Sequence, residues 1–259
     1  MVLASAEIED LRTAKRLLET PGLAARIGDY VGAPIEKGFA LLPEKWNAVV
    51  NKATRKSIAA ALEFALWTMN DNRAGPPSNR WHKLAAGASG AAGGMFGLPA
   101  LAIELPVSTT IMLRSIADIA RSQGENLMRA EARLECVQVL ALGGGSNSDD
   151  GSETGYFAAR AAMAKAVSDA LQHLARSGLS HQGAPAMVRL IAQIASRFSI
   201  VVSEKAAAQA VPVLGALGGA LVNTLFIDHF QDMGRGHFTV RRLERAHGAE
   251  EVKRVYDGL

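Results

Sequence analysis

At 259 residues, 49% apolar and 20% charged, the chain has the composition of a folded globular protein with ample length for one large core. Its net charge of +3, from 28 basic and 25 acidic residues, comes with no basic run interleaved with aromatics, which argues against nucleic acid as a partner. A single cysteine, Cys136, excludes an intramolecular disulfide and a cysteine-based zinc site.

The first residues, Met1-Val2-Leu3-Ala4-Ser5, lack the basic-then-apolar layout of a signal peptide. Ser5 is placed to N-cap an amphipathic helix carrying Ile8, Leu11, Leu17 and Leu18, which ends before Pro21-Gly22. A turn of helix over 22–28 and another near Pro34 complete an N-terminal helical extension, residues 1–42. Pro43 suits the first turn of a long helix, whose positions Trp46, Val49, Val50, Ala53, Ser57, Ala60, Ala61, Phe64 and Trp67 recur at three- and four-residue steps. The polar run 71–78 ends it in a loop. Residues 84–103 carry no charge; Glu104 follows, and 105–113 are again uncharged, with Pro99 and Pro106 starting or kinking helices. A polar-faced helix from about 126 to 142 leads into the flexible Gly/Ser/Asn/Asp loop 143–152. Helices near 153–176 and 185–209 come next. Residues 206–227 are a second uncharged run, with Pro212 inside it. Two short helices, near 238–247 and 249–257, close the chain. No period-2 pattern longer than about four residues competes with the helical one. The fold class is therefore all-α: residues 43–259 form a multi-helix, bundle-like domain with a single core and two central Gly/Ala-rich apolar helical segments.

Both uncharged segments reach the roughly 20 residues needed to cross a bilayer. The first, however, holds five glycines and Pro99, and the second is interrupted by Gln209, Pro212 and Asn223. Glycine costs a helix about 1 kcal/mol relative to alanine, so such segments need neighbours. Each also carries a Gly-x-x-x-Gly step, at Gly93/Gly97 and Gly215/Gly219. A buried central hairpin is the leading reading; insertion into or contact with a membrane is the alternative.

The run from Asp228 through His229, Gly234, Gly236, His237, Phe238, Arg241, Arg242 and Leu243 to Glu244 resembles the signature of the EcsC protein family. The stretch Gly97-Leu98-Pro99 through Glu104-Leu105-Pro106 to Arg114 and Asp118 is similar to that family's other characteristic block. The resemblance covers residues 44–257. It implies a bacterial, cytoplasmic protein near the inner face of a membrane, with a membrane protein such as an ABC transporter as a partner, and it carries over no catalytic residue.

Glu104 is the oddest residue by position. A carboxylate between two apolar runs must be paired or protonated. The structural expectation is an ion pair with an arginine such as Arg114 or Arg241, and the functional one is a general base, a metal ligand or a ligand-binding carboxylate. Arg114 and Asp118, four residues apart, are placed to pair on one helix face. His229 and His237 invite a metal or acid–base reading. Eight residues of continuous helix would hold them about 12 Å apart, so they converge only if Gly234 and Gly236 break the helix and Thr239 caps a new one. Glu104, Asp228, His229 and His237 would then form one site. Nucleotide-binding, nucleophile-elbow and His-Glu-x-x-His motifs are absent.

The sequence thus favours a non-enzymatic, membrane-associated accessory or interaction protein that binds lipid or an apolar ligand. Arg114, Asp118, Asp228, Arg241 and Arg242 are the candidate ligand contacts. The alternative is a hydrolase or metalloenzyme built on Glu104, His229 and His237. Cofactor use and oligomeric state are both left open.

Overall fold

A computed structural model describes residues 3–19, 22–31, 36–69, 98–143, 155–177, 184–210 and 215–259. The expected loop at 71–78, nearly all of that at 143–152, the uncharged residues 84–97 and Pro212 lie outside the described residues. Within them the chain is all-α, with ten helices packed as a bundle: α1 Ser5–Glu19, α2 Leu23–Val31, α3 Glu36–Ala40, α4 Trp46–Thr68, α5 Leu98–Ser122, α6 Ala130–Leu142, α7 Gly155–Ser177, α8 Pro185–Ala210, α9 Gly215–His247 and α10 Ala249–Asp257.

Several helix ends differ from the expectation, each for a local reason. Ser5 is the first helical residue of α1. Ala4 holds the cap position, and Glu7 reaches back to accept its backbone N–H at 2.8 Å, half of a capping box. Pro43 precedes α4 rather than opening it, and its carbonyl accepts the Trp46 N–H at 2.9 Å in the turn before the helix. Pro106 lies inside α5 without ending it. α6 is not polar-faced. Every residue from Leu134 to Ala141 is buried, Glu135 and Gln138 included. A helix buried on all sides belongs in the middle of a bundle, and α6 packs on α4, α5, α7, α8 and α9.

The expected short helix at 238–247 is the last third of α9, which runs unbroken for 33 residues, about 50 Å. Thr239 is therefore not a cap. α9 packs against α1, α2, α5, α6, α8 and α10 and is the spine of the fold. Phe198 of α8 meets Phe226 and Phe230 of α9 with ring centroids 5.9 and 5.4 Å apart, the spacing of tilted and edge-on aromatic contacts. A second, smaller core joins Leu11 and Ala14 of α1 to Val240, Leu243, Val252 and Tyr256. Gly248, at φ 88°, makes the reversal from α9 into α10.

The described parts of the two central apolar segments lie in helices that pack together. Residues 98–103 open α5, 206–210 end α8, and 215–227 begin α9, with α5 and α9 in direct contact. The helices of residues 1–42 pack onto this body, α1 along α9 and α3 against α8.

Candidate functional site

Of the four buried polar side chains of α9, Gln231 donates to the Ser115 hydroxyl at 2.8 Å, and the other three are Asn223, His229 and His237. They are six and eight residues apart on a continuous helix, or about 9 and 12 Å along its axis. Each meets a different neighbour, so the helix separates the groups that a single site would have required.

At Asn223 the neighbours are Lys205 and Glu104. The Lys205 Nζ donates to both oxygens of Glu104 at 2.9 Å and to the Asn223 Oδ1 at 2.7 Å. It also lies 4.6 Å from the Phe226 ring centroid. Glu104 is thus paired with neither Arg114, which is exposed on α5, nor Arg241. An ammonium has three protons to give, and the two carboxylate oxygens and the amide oxygen match that number. Burial pushes the Lys205 pKa down, and Glu104 opposes the shift. The cluster ties α5, α8 and α9 together and leaves its ammonium no proton free for a substrate.

His229 donates from Nε2 to the Gly143 carbonyl at 3.0 Å, tying α9 to the end of α6. Its Nδ1 is buried with no hydrogen-bond partner among the described residues. Burial pushes its pKa down to about 4, although the bond to Gly143 acts in the other direction. The ring is neutral at pH 7. The neighbouring Asp228 is half-buried on α9.

His237 sits in a larger network. Its Nε2 donates to Glu135 Oε2 at 3.0 Å, and its Nδ1 accepts from the Tyr156 hydroxyl at 3.0 Å. The Tyr156 oxygen accepts from Arg160 at 3.3 Å, and Arg160 holds Glu244 through both guanidinium nitrogens at 2.7 and 3.1 Å. Arg241 reaches Glu135 Oε1 at 3.0 Å and Glu125 at 2.8 Å, and Arg245 also bonds Glu125. Burial pushes the His237 pKa down, and burial alone would raise Glu135. The hydrogen bond from His237 and the nearby guanidiniums reverse that, so Glu135 stays ionised. The carboxylate–imidazole–phenol order suits proton transfer, but the imidazole and the phenol are both buried. What opens to solvent beside them is a cleft of about 720 Å³, reached by Glu135, Gln138 and Arg160 but by neither ring.

The remaining expected contacts are placed on the surface or in structural pairs. Asp118 bonds Arg121 at 2.7 Å rather than Arg114. Arg242 bonds Asp10 at 2.6 Å, joining α9 to α1. Among the described residues, no three His, Cys, Asp or Glu side chains are grouped to hold one metal ion. Glu104, His229 and His237 therefore form no joint metal or hydrolytic site.

Lys205, Glu135, Tyr156 and Arg160 were missed by sequence reasoning. The first two had a visible signal, since each is a lone charge embedded in or bordering an apolar run.

One exposed feature stands beside the Glu104 cluster. Along α5, Ile103, Val107, Thr110 and Arg114 follow at steps of four, three and four and form a single stripe. Ile103 is 75% exposed and Val107 50%, and Arg114 is exposed further along. Glu104, one residue from Ile103, points the other way into the bundle.

The model of the EcsC protein family matches residues 5–243. The chain belongs to the EcsC family. No curated protein and no solved structure matches it. Nearly all of this EcsC protein, from α1 to the last turns of α9, falls within the match, including Glu104, Lys205, Glu135 and His237.

Proposed function

We propose that this protein is a non-enzymatic accessory protein that associates with the cytoplasmic face of a membrane through the outward stripe of α5. The observation that carries the reading is the exposure of Ile103 and Val107 on the same helical face as Arg114. A soluble surface readily tolerates single exposed apolar residues. Two of them one turn apart, followed two turns later by an arginine, give an apolar end for the acyl boundary and a cation for the headgroups. The sequence extends this end, because residues 84–103 contain no charge.

The magnitudes suit reversible contact. Removing the two side chains from water contributes roughly 3 kcal/mol, and one arginine at an anionic surface about 1 kcal/mol. That is weak binding, fitting an accessory role. Among the described residues one helix, α8, is long and apolar enough to cross a membrane by length and composition. Its buried face packs against α4, and its Lys205 is paired inside the bundle, so α8 is read as a core helix.

The test is flotation with vesicles of phosphatidylcholine containing phosphatidylglycerol. Wild-type protein floats, and Ile103→Glu/Val107→Glu reduces the floated fraction at least tenfold with an unchanged melting temperature. Arg114→Gln reduces it on anionic vesicles only. Wild-type protein that stays at the bottom of the gradient, or a double variant that floats as well as wild type, would sink the reading.

A further inference from the structure

The open cleft beside the His237 network lies away from the α5 stripe, and its walls have distinct chemistry. One wall is a face of α7 made of Phe157, Ala161, Ala164, Val167 and Leu171. These follow at three- and four-residue steps over 14 residues, about 21 Å of helix. Ala161 and Ala164 are exposed, and side chains this small let another helix backbone come close. The opposite wall is a face of α6 carrying Glu131, Glu135 and Gln138 at steps of four and three. The corner between α9 and α10 closes one end with Glu244, Glu250 and Lys253.

The α6 wall and the corner call for a partner from outside, because the charge facing the cleft is unbalanced. Arg160 is engaged by Glu244, and Lys253 by Asp257 and the Phe157 ring. Glu250 is exposed with no ion pair among the described residues, and Glu131 meets only the surface residue Arg129 at 3.2 Å and Arg241 at 3.8 Å. The local excess is acidic although the chain as a whole carries +3.

We propose that this cleft receives a basic amphipathic helix of a partner protein. An open cleft with an apolar, small-residue strip of α7 on one side and the carboxylates of Glu131 and Glu250 at its other edges matches a helix with one apolar and one cationic edge. This proposal is independent of the membrane reading, because none of its residues belongs to α5.

The experiment measures fluorescence anisotropy of a labelled 16-residue Leu/Lys amphipathic helix, and of its Leu/Glu counterpart, against the full chain in physiological salt. The wild type is expected to bind the basic peptide at least tenfold tighter than the acidic one. Glu131→Lys/Glu250→Lys is expected to invert that preference. Ala164→Trp, which fills the middle of the groove from an exposed position, is expected to weaken the basic peptide at least tenfold. All three positions are outside the core, so circular dichroism should be unchanged. Equal binding of the two peptides, a preference unmoved by the charge swap, or an affinity unmoved by Ala164→Trp would each overturn the proposal.

Discussion

The Lys205 ammonium bonds both oxygens of Glu104 at 2.9 Å although the two residues are 101 positions apart in the chain. Lys205 is fully buried, so a bare charge left on either side has no water to turn to. Removing one partner of such a pair costs about 3–5 kcal/mol, while replacing both by apolar groups costs far less. Glu104→Ala and Lys205→Met should each lower unfolding stability by that amount. Glu104→Leu/Lys205→Met should lose clearly less than the sum of the single changes. Urea titration of the four proteins reads the coupling, and strictly additive losses would mean that the pair is not the unit described here.

Two glycines two residues apart on α9 should respond to alanine in opposite directions. A Cβ on Gly236 would lie 2.6 Å from Leu18 Cγ and 3.0 Å from the Ala14 carbonyl oxygen, so α1 would have to move off α9. A Cβ on Gly234 would meet Ile116 at 3.6 Å, an ordinary contact. Gly236→Ala should cost about 1–3 kcal/mol by overpacking. Gly234→Ala should gain up to about 1 kcal/mol from helix propensity. Thermal unfolding of both variants decides the matter, and a shift of the same sign in both would contradict this packing.

The glycines also show where sequence reading stops. Gly234 and Gly236 look like helix breakers between two histidines, and a break would have brought His229 and His237 together. Gly236 serves instead as the point where α1 approaches α9, which no local pattern announces. The all-helical class was legible, because three- and four-residue apolar steps run through most of the chain. Glu104 was legible as a residue needing a partner, but an arginine was the wrong guess. The better clue was symmetry: Glu104 immediately follows the first uncharged run and Lys205 immediately precedes the second. Segments that pack together bring their bordering charges together. Glu135 gave a weaker form of this signal, a carboxylate within the apolar run 134–141. Tyr156 and Arg160 gave none, since their roles arise only when the first turns of α7 come within side-chain reach of α9.

Cys136 is fully buried in the core of α6, and burial raises its thiol pKa above the ordinary value, with Glu125 and Glu135 adding to the effect. The thiolate is the reactive form. Alkylation by iodoacetamide at pH 8 should therefore be at least a hundredfold slower than for a free thiol and should follow urea unfolding. Mass spectrometry over time gives the rate. Rapid modification of the folded protein would mean that α6 is more open than its position implies.

Acid should weaken the fold before its carboxylates titrate, and His229 is the main reason. In the unfolded chain a histidine binds its proton near pH 6.5. In the folded protein burial holds His229 down to about 4, and a proton on its buried Nδ1 would have no acceptor among the described residues. Between those values the unfolded state carries a proton that the folded state does not, so stability declines as pH falls through this window and levels off for this group below 4. The shift corresponds to roughly 3 kcal/mol at about 1.4 kcal/mol per unit. His237, also pushed down by burial, acts in the same direction. Urea midpoints at pH 7.5, 6.0 and 5.0 should fall in that order. His229→Gln should be less stable at pH 7.5, with a visibly shallower decline, because its amide donates to the Gly143 carbonyl without titrating. A midpoint that stays constant from pH 7.5 to 5.0 would show that the ring is hydrated or paired in a way this geometry does not contain.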